Sequence, residues 1–154
     1  MAVEIERKFL VTGDGWRAAI VRTRRMRQGY LASGAMQVRI RRADDEAFLT
    51  IKGNRKGISR TEFEYPIPLD DADGMLDSLC LHPPIEKTRY EVQHGGHLWE
   101  VDVYSGRHEG LIVAEVELDA IDEHFDAPSW IGEDVTEDRR YSNAVLAEFG
   151  SPER

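Results

Sequence analysis

Charged side chains of like sign recur two residues apart along several extended segments, and this spacing constrains the fold of the chain more than any other feature. The first such segment begins at Glu4. If it forms a β-strand, Glu4, Glu6 and Lys8 lie on one face and Ile5 and Phe9 on the other, because successive side chains point to opposite faces. A row of this kind is typical of the solvent side of a half-buried strand, since Glu and Lys are rarely buried without partners.

Later segments repeat the pattern and sort the charges strand by strand. The wet face of an ordinary sheet mixes both signs. Like charges on one strand repel across roughly 7 Å, and an exposed surface gains nothing from that repulsion. The acidic pairs are Glu4 and Glu6, Glu62 and Glu64, Glu100 and Asp102, and Glu115 and Glu117; the basic pairs are Arg39 and Arg41, and Lys87 and Arg89.

A closed barrel explains this sorting, because its interior takes every second residue of each strand. An apolar stripe and a capped segment predict helices over 70–81 and 136–149 that cover the apolar outside of the barrel. We therefore predict an α+β fold, an eight-stranded antiparallel β-barrel with peripheral helices that include a C-terminal one. The predicted strands cover residues 4–11, 28–31, 37–42, 47–52, 60–65, 86–93, 98–104 and 111–118.

A charged barrel interior has a functional consequence. Burying so many charges is prohibitive without ligands and water. The interior is therefore expected to be a wet tunnel or cup that binds ligands. Basic pairs on some walls suit a polyanion, and carboxylate pairs on others suit divalent metal ions.

Composition limits the class of protein. The chain has 154 residues, of which 41% are hydrophobic and 32% charged, as expected for a single globular domain over residues 1–154. The net charge of -9 argues against a nucleic-acid partner. Cys80 is the only cysteine, which excludes an intramolecular disulfide and fits a reducing cytoplasm. No apolar run reaches membrane-spanning length and no signal peptide is visible, so we expect a cytoplasmic protein without a membrane partner.

The ordered series of motifs resembles the CYTH proteins, also called triphosphate tunnel metalloenzymes. Residues 4–8 match the Glu-x-Glu-x-Lys signature of that family, and the resemblance to its short bacterial single-domain members covers nearly the whole chain. It implies an eight-stranded barrel that binds a triphosphate with Mg²⁺ or Mn²⁺. The other matching motifs are Arg39-x-Arg41, Thr50-Ile51-Lys52, Glu62-x-Glu64, Lys87-x-Arg89, Glu100-x-Asp102, Glu115-x-Glu117 and Asp138-Arg139-Arg140-Tyr141.

The resemblance also implies roles for individual side chains. The implied metal ligands are Glu4, Glu6, Glu115 and Glu117, which offer the hard oxygen donors that Mg²⁺ prefers. The implied substrate-binding residues are Arg39, Arg41, Lys52, Lys87 and Arg89. The candidates for activating water or supporting the metal are Glu62, Glu64, Glu100 and Asp102.

Two further residues are implied to be catalytic. Lys8 is expected beside the reacting phosphoryl group. Tyr30 resembles a tyrosine found at this place in short members, and it is expected to hydrogen-bond Lys8 or to take part in proton transfer. The alternative for Tyr30 is an aromatic residue that packs across strands.

We therefore expect a metal-dependent hydrolase of triphosphates that converts inorganic tripolyphosphate to pyrophosphate and orthophosphate. The alternatives within the enzyme class are a class IV-type adenylate cyclase, a thiamine triphosphatase and a nucleoside triphosphatase. A non-catalytic polyphosphate-binding module is a further alternative, although a pure polyanion binder could dispense with most of the carboxylates. The sequence leaves open the physiological substrate, the preferred metal, the water-activating carboxylate and the oligomeric state, including a homodimer.

Overall fold

Eight strands form a closed antiparallel barrel in the computed structural model, which describes residues 3–152. A ninth short strand and two α-helices lie around it. The strands are β1 (Val3–Val11), β2 (Ile20–Ala32), β3 (Gln37–Ala43), β4 (Glu46–Lys56), β5 (Ser59–Pro66), β6 (Ile85–His94), β7 (His97–Tyr104), β8 (Ile112–Glu117) and β9 (Ile131–Asp134); the helices are α1 (Leu69–Ser78) and α2 (Asn143–Phe149). The predicted fold class is confirmed.

Strand β1 closes the barrel. The strands follow one another around the wall in the order β5-β4-β3-β2-β6-β7-β8-β1, and the N-terminal part of β1 pairs with β5 through Glu4 and Arg60. The middle of β1 pairs with β8, and its C-terminal end pairs with β9. Strand β1 therefore contacts three other strands, and any side chain on its inner face lies between two carboxylate-bearing walls.

The strand register gathers the charged pairs on the inner face. Glu6 lies opposite Glu117 and Lys8 opposite Glu115 across β1 and β8. On the other side of the barrel Arg39 lies opposite Thr50. Because side chains alternate along each strand, the outer face keeps the apolar residues, as the sequence pattern predicts.

Two apolar clusters cover the outside of the barrel. The larger one packs Phe9, Trp99 and Trp130 under a 3₁₀ turn at Gly15–Ala19 and the segment that leads to β9. The indole rings of Trp99 and Trp130 meet edge to face with centroids 5.7 Å apart. The other cluster joins α1 to the outer face of β3 and β4 through Leu76 and Ile40.

Helix α2 closes one end of the barrel. It packs against Tyr30, Ile85, Tyr104 and Val113, which lie on the same strand faces as the charged residues further along. None of the helices within residues 3–152 is both long and apolar enough to cross a membrane.

The predicted C-terminal helix over 136–149 is too long. Helix α2 begins only at Asn143, after Ser142, whose hydroxyl accepts a hydrogen bond from the Val145 amide. The residues before it are held in other conformations, because Thr136 bonds to the backbone of Lys8 and Asp138 caps a 3₁₀ turn at Arg139–Tyr141. Several potential N-cap residues follow one another in this segment, and the true N-cap of α2 is Ser142.

Strand β2 is much longer than the predicted 28–31. It begins at Ile20. The arginines within residues 22–27 hide the alternation of polar and apolar residues that marks a strand. Strand β9 was not predicted. His108 is buried, and its Nε2 lies 2.7 Å from the carbonyl oxygen of Leu146.

Gly29 on β2 leaves space for the end of α1. A β-carbon at this position would collide with Cys80 Sγ and lie 3.3 Å from Leu76 Cδ2. We predict that Gly29→Ala lowers the free energy of unfolding by roughly 1–3 kcal/mol, measured by urea denaturation, because overpacking forces neighbours to shift. The double variant Gly29→Ala/Cys80→Ala should recover part of the loss.

Gly74 provides the matched control, because it lies within α1 and a β-carbon there meets nothing within 4 Å. Gly74→Ala should raise the free energy of unfolding by roughly 0.5–1 kcal/mol, since alanine favours a helix over glycine. Equal stability of Gly29→Ala and the unaltered protein would contradict the proposed contact between β2 and α1.

Candidate active site

The barrel encloses a cavity of about 260 Å³ whose wall is mostly charged. Both signs are present in nearly equal number. The cationic lining residues are Lys8, Arg24, Arg39, Arg41, Lys52, Arg55, Arg60 and Arg89; the acidic ones are Glu4, Glu6, Glu62, Glu64, Glu100, Glu115 and Glu117. The cavity can therefore hold an anion and cations at once.

The carboxylates of β1 and β8 crowd one side of the cavity. Burial and the neighbouring Glu115 and Glu4 carboxylates raise the pKa of Glu6 well above its ordinary value. Burial and Glu4 likewise raise the pKa of Glu117. Burial also acts to raise the pKa of Glu115, but Lys8 and Arg89 outweigh it and hold that pKa well below its ordinary value. A cation near Glu6 and Glu117 would stabilise their ionised carboxylates.

Lys52 joins two of the carboxylates. Its Nζ lies 3.2 Å from Glu4 Oε1 and 3.3 Å from Glu62 Oε2. Burial and the neighbouring Glu4 carboxyl group raise the pKa of Glu62 to about 7. Burial opposes ionisation of Glu4, but Lys52 lowers its pKa overall. Glu4 and Glu62 therefore share one ammonium group as counter-ion.

The donor set suits a hard divalent cation. All the crowded donors are carboxylate oxygens, and Glu62 Oε2 is buried without a hydrogen-bond partner among residues 3–152. Within the same residues no three His, Cys, Asp or Glu side chains are already gathered as a metal-ligand cluster. An ion here would take few protein ligands at first and complete its shell with water and phosphate oxygens, as Mg²⁺ usually does.

The arginines of β3 line the opposite side of the cavity, four strands away from β8. Arg39 donates to Thr50 Oγ1 at 3.3 Å and lies 3.5 Å from Glu64 Oε2. Arg41 Nε donates to Gln28 Oε1 at 2.8 Å. Burial and the neighbouring Arg39 and Arg89 lower the pKa of Arg41 to about 10. An anion among these guanidinium groups would relieve their mutual repulsion.

Asp102 holds the Arg89 guanidinium group in place through hydrogen bonds. It accepts hydrogen bonds from Arg89 Nε at 2.8 Å and from a second guanidinium nitrogen at 2.9 Å, and Glu100 accepts a third at 3.1 Å. Burial acts to raise the pKa of Asp102, but Arg89 and Lys87 lower it to about 2. Asp102 is fully buried and does not line the cavity. It was a candidate for activating water, but its carboxylate is occupied by cations.

Lys87 also lies outside the cavity lining. Its Nζ donates to Asp102 at 2.6 Å and lies 5.5 Å from the centroid of the Tyr104 ring. Burial lowers the pKa of Lys87 to about 7 against the pull of Asp102, and Arg89 and Arg41 add to the decrease. In this geometry the Lys87 ammonium group contacts Asp102 and not the cavity, and the predicted role of Lys87 in substrate binding stays a prediction.

Lys8 and Tyr30 both line the cavity but are not bonded to each other. Lys8 Nζ donates to the carbonyl oxygen of Tyr141 at 3.1 Å and lies 3.8 Å from Glu115 Oε1. Tyr30 is buried against Ile85 in the cluster under α2. No hydrogen bond joins Lys8 and Tyr30 within residues 3–152, and Tyr30 packs in an apolar cluster, as expected in the alternative. A part of Tyr30 in proton transfer stays a prediction.

Three lining arginines were not among the predicted site residues. Arg60 shares a strand face with Glu62, and this alternation was visible in the sequence. Arg55 follows an irregularity in the pairing of β4 with β5, which no periodic pattern could reveal. Arg24 lies in the part of β2 that was not predicted as a strand.

The buried ion cluster around Asp102 gives a stability prediction. Asp102→Asn should lower the free energy of unfolding by roughly 3–5 kcal/mol at neutral pH, because two buried cations lose their counter-ion. Because the pKa of Asp102 in the folded protein is about 2 against an ordinary 3.8, its contribution is present above pH 4 and is lost as the pH falls toward 2. Chemical denaturation across this range measures both effects.

Asp45, an exposed residue in the turn before β4, is the control. Asp45→Asn should leave the free energy of unfolding within about 0.5 kcal/mol of the unaltered value, as for most surface substitutions. If Asp102→Asn is equally neutral, the ion cluster does not stabilise the barrel.

Comparisons with known proteins agree on one family. The family model described as the CYTH domain matches residues 2–144. A protein named inorganic triphosphatase from Acetivibrio thermocellus is 45% identical over 147 residues, which cover 95% of this chain and 94% of that protein. One of the same name from Nitrosomonas europaea is 40% identical over 151 residues, covering 94% and 96%.

Solved structures agree with this result. The crystal structure of an inorganic triphosphatase matches 96% of this chain and 95% of that chain with a TM-score of 0.67 and 36% identity. A putative adenylate cyclase from Bacillus halodurans matches 79% of this chain and 84% of that chain with a TM-score of 0.58 and 16% identity, and this likeness concerns the fold alone.

Proposed function

Because the chain belongs to the CYTH domain family, we propose that it is a metal-dependent hydrolase that cleaves inorganic tripolyphosphate into pyrophosphate and orthophosphate. Its relatives at 40–45% identity carry the name inorganic triphosphatase. The observation that carries the proposal is a cavity with a cationic wall opposite a carboxylate wall. A polyanion and its metal counter-ions are the ligands that satisfy both walls.

The arginines are proposed to bind the phosphate chain. Arg39, Arg41 and Arg89 present planar guanidinium forks, which match phosphate oxygens better than a point charge does. Lys52 adds an ammonium group between the two walls. Arg89 is held rigidly by Asp102, so little conformational freedom is lost when it binds. Lys87 contributes indirectly, since it shares Asp102 with Arg89.

The family implies a divalent metal, and we assign it to the carboxylate wall. Glu4, Glu6, Glu115 and Glu117 would hold Mg²⁺ or Mn²⁺, which would neutralise phosphate charge and lower the pKa of a bound water. The raised pKa values of Glu6 and Glu117 fit this role, because a bound cation would supply the counter-charge that favours their ionised form.

Hydrolysis requires a water to attack the terminal phosphorus while the bond to pyrophosphate breaks. Phosphoryl transfer depends mainly on positioning and on charge neutralisation. Lys8, oriented by the Tyr141 carbonyl and Glu115, would place positive charge beside the reacting group. Glu62 is our candidate for accepting the proton of the water, because its pKa of about 7 is matched to neutral pH and it lines the cavity.

The cavity lining favours a small inorganic substrate. Charged side chains dominate it, and the apolar lining is limited to Tyr30, Ala43, Phe48, Ile58 and Ala144. A nucleoside or thiamine group needs a largely apolar surface with aromatic contacts. The carboxylate wall also favours catalysis over a binding module, because a pure polyanion binder could dispense with most of these carboxylates. The single cysteine fits the proposed cytoplasmic location.

Glu4→Gln tests the metal assignment. We predict that this variant loses at least about 100-fold in kcat for tripolyphosphate with either Mg²⁺ or Mn²⁺, because a neutral amide is a poorer ligand than a carboxylate. Release of orthophosphate and pyrophosphate measures the rate, and thermal unfolding confirms the fold. Glu46→Gln, at the exposed start of β4, is the matched control and should keep the full rate. Hydrolysis by Glu4→Gln at the unaltered rate would exclude this role.

A further inference from the structure

We propose that Arg24 is an additional phosphate-binding residue, which binds the triphosphate together with Arg89 at the wall formed by β2 and β6. This inference rests on the proposed function, since it assigns a further contact to the same substrate. Arg24 lies outside every charged motif by which the sequence was interpreted, and its place in the site follows only from the length and register of β2.

The register places Arg24 directly beside Arg89. The two residues are partners across β2 and β6, and both side chains face the cavity. Like charges directly opposite one another in a sheet are destabilising. Arg89 is neutralised by Asp102 and Glu100. Arg24 is therefore the cation of this pair whose charge is less well compensated.

Within the described part of the chain, residues 3–152, the Arg24 guanidinium group has charged neighbours but makes no hydrogen bond. Its Nε lies 3.8 Å from Glu91 Oε2, and one terminal nitrogen lies 3.9 Å from Glu100 Oε2. Both distances exceed that of a hydrogen bond. Nε is buried without a partner among residues 3–152, and so is Glu91 Oε2.

An unmet buried donor is costly, and a guanidinium group carries five N–H donors in a fixed fork. Only 17% of the Arg24 side chain is exposed, so water satisfies few of them. A phosphate oxygen in the cavity would accept from this fork and would also reduce the repulsion between Arg24 and Arg89. The unsatisfied Nε and the position of Arg24 in the cavity wall therefore favour a ligand-binding role over that of a structural ion pair alone.

Arg22 offers a matched control on the same strand face. Its Nε lies 3.7 Å from the same Glu91 oxygen, yet 55% of its side chain is exposed and it does not line the cavity. Substitution of Arg22 removes one positive charge near the same Glu91 oxygen, but it removes no hydrogen-bond donor from the cavity lining. The two variants Arg24→Gln and Arg22→Gln therefore separate a ligand contact from a general change in charge.

The experiment measures the dissociation constant of tripolyphosphate by calorimetry without metal, and kcat and KM with Mg²⁺. Arg24→Gln should weaken binding about 10- to 100-fold, the effect of losing a hydrogen bond to a charged group. KM should rise by a similar factor with a smaller change in kcat, because the contact is made before and during the reaction. Arg22→Gln should change either quantity by less than about threefold.

Arg24→Lys keeps the proposal testable if Arg24→Gln does not fold. It retains the charge and loses the fork, and its affinity should fall between those of the unaltered protein and Arg24→Gln. Equal affinity for tripolyphosphate in the Arg24 variants, Arg22→Gln and the unaltered protein would overturn the assignment of Arg24. An unaltered protein that neither binds tripolyphosphate nor hydrolyses it with Mg²⁺ would contradict the proposed function and, with it, the assignment of Arg24.

Discussion

The structure depends on a barrel interior that is filled with charge. Buried charges are tolerated only when they are paired and hydrogen-bonded, and even a well-made pair seldom does more than offset its desolvation. In this chain the acidic and basic side chains of the interior are concentrated on two different walls of the barrel. Carboxylates crowd on β1 and β8, whereas arginines crowd on β3 and β6. Asp102 and Lys52 join opposite charges, but several groups on each wall stay under repulsion from their own kind.

The repulsion within each wall has a direct connection to function. Burial, together with like-charged neighbours, raises the carboxyl pKa values of Glu6, Glu62 and Glu117 and lowers the guanidinium pKa of Arg41, so both walls would gain from added counter-charge. A polyanion with a divalent cation would supply both at once. The apolar clusters outside the barrel and the helix α2 at its end provide the stability that such an interior does not.

The sequence was sufficient for the inner faces of most strands, because pairs of like charge two residues apart identify both the strand and its orientation. The sequence pattern was misleading for the start of β2 and for the segment before α2. The arginine run in β2 hid the alternation that reveals a strand, and with it Arg24. Thr136 and Asp138 resemble helix caps, yet they anchor the chain to β1 and to a 3₁₀ turn. The engagement of Lys87 with Asp102 depends on pairing across β6 and β7, which spacing along one strand does not disclose.

The most direct test of the account is to measure release of phosphate and pyrophosphate from tripolyphosphate, ATP and thiamine triphosphate in parallel, with Mg²⁺ and with Mn²⁺, while monitoring cyclic AMP. A cavity with acidic and basic walls and little apolar surface predicts metal-dependent turnover of tripolyphosphate that is much faster than turnover of the two organic triphosphates. Formation of cyclic AMP from ATP, or tight binding of tripolyphosphate without any turnover, would contradict it.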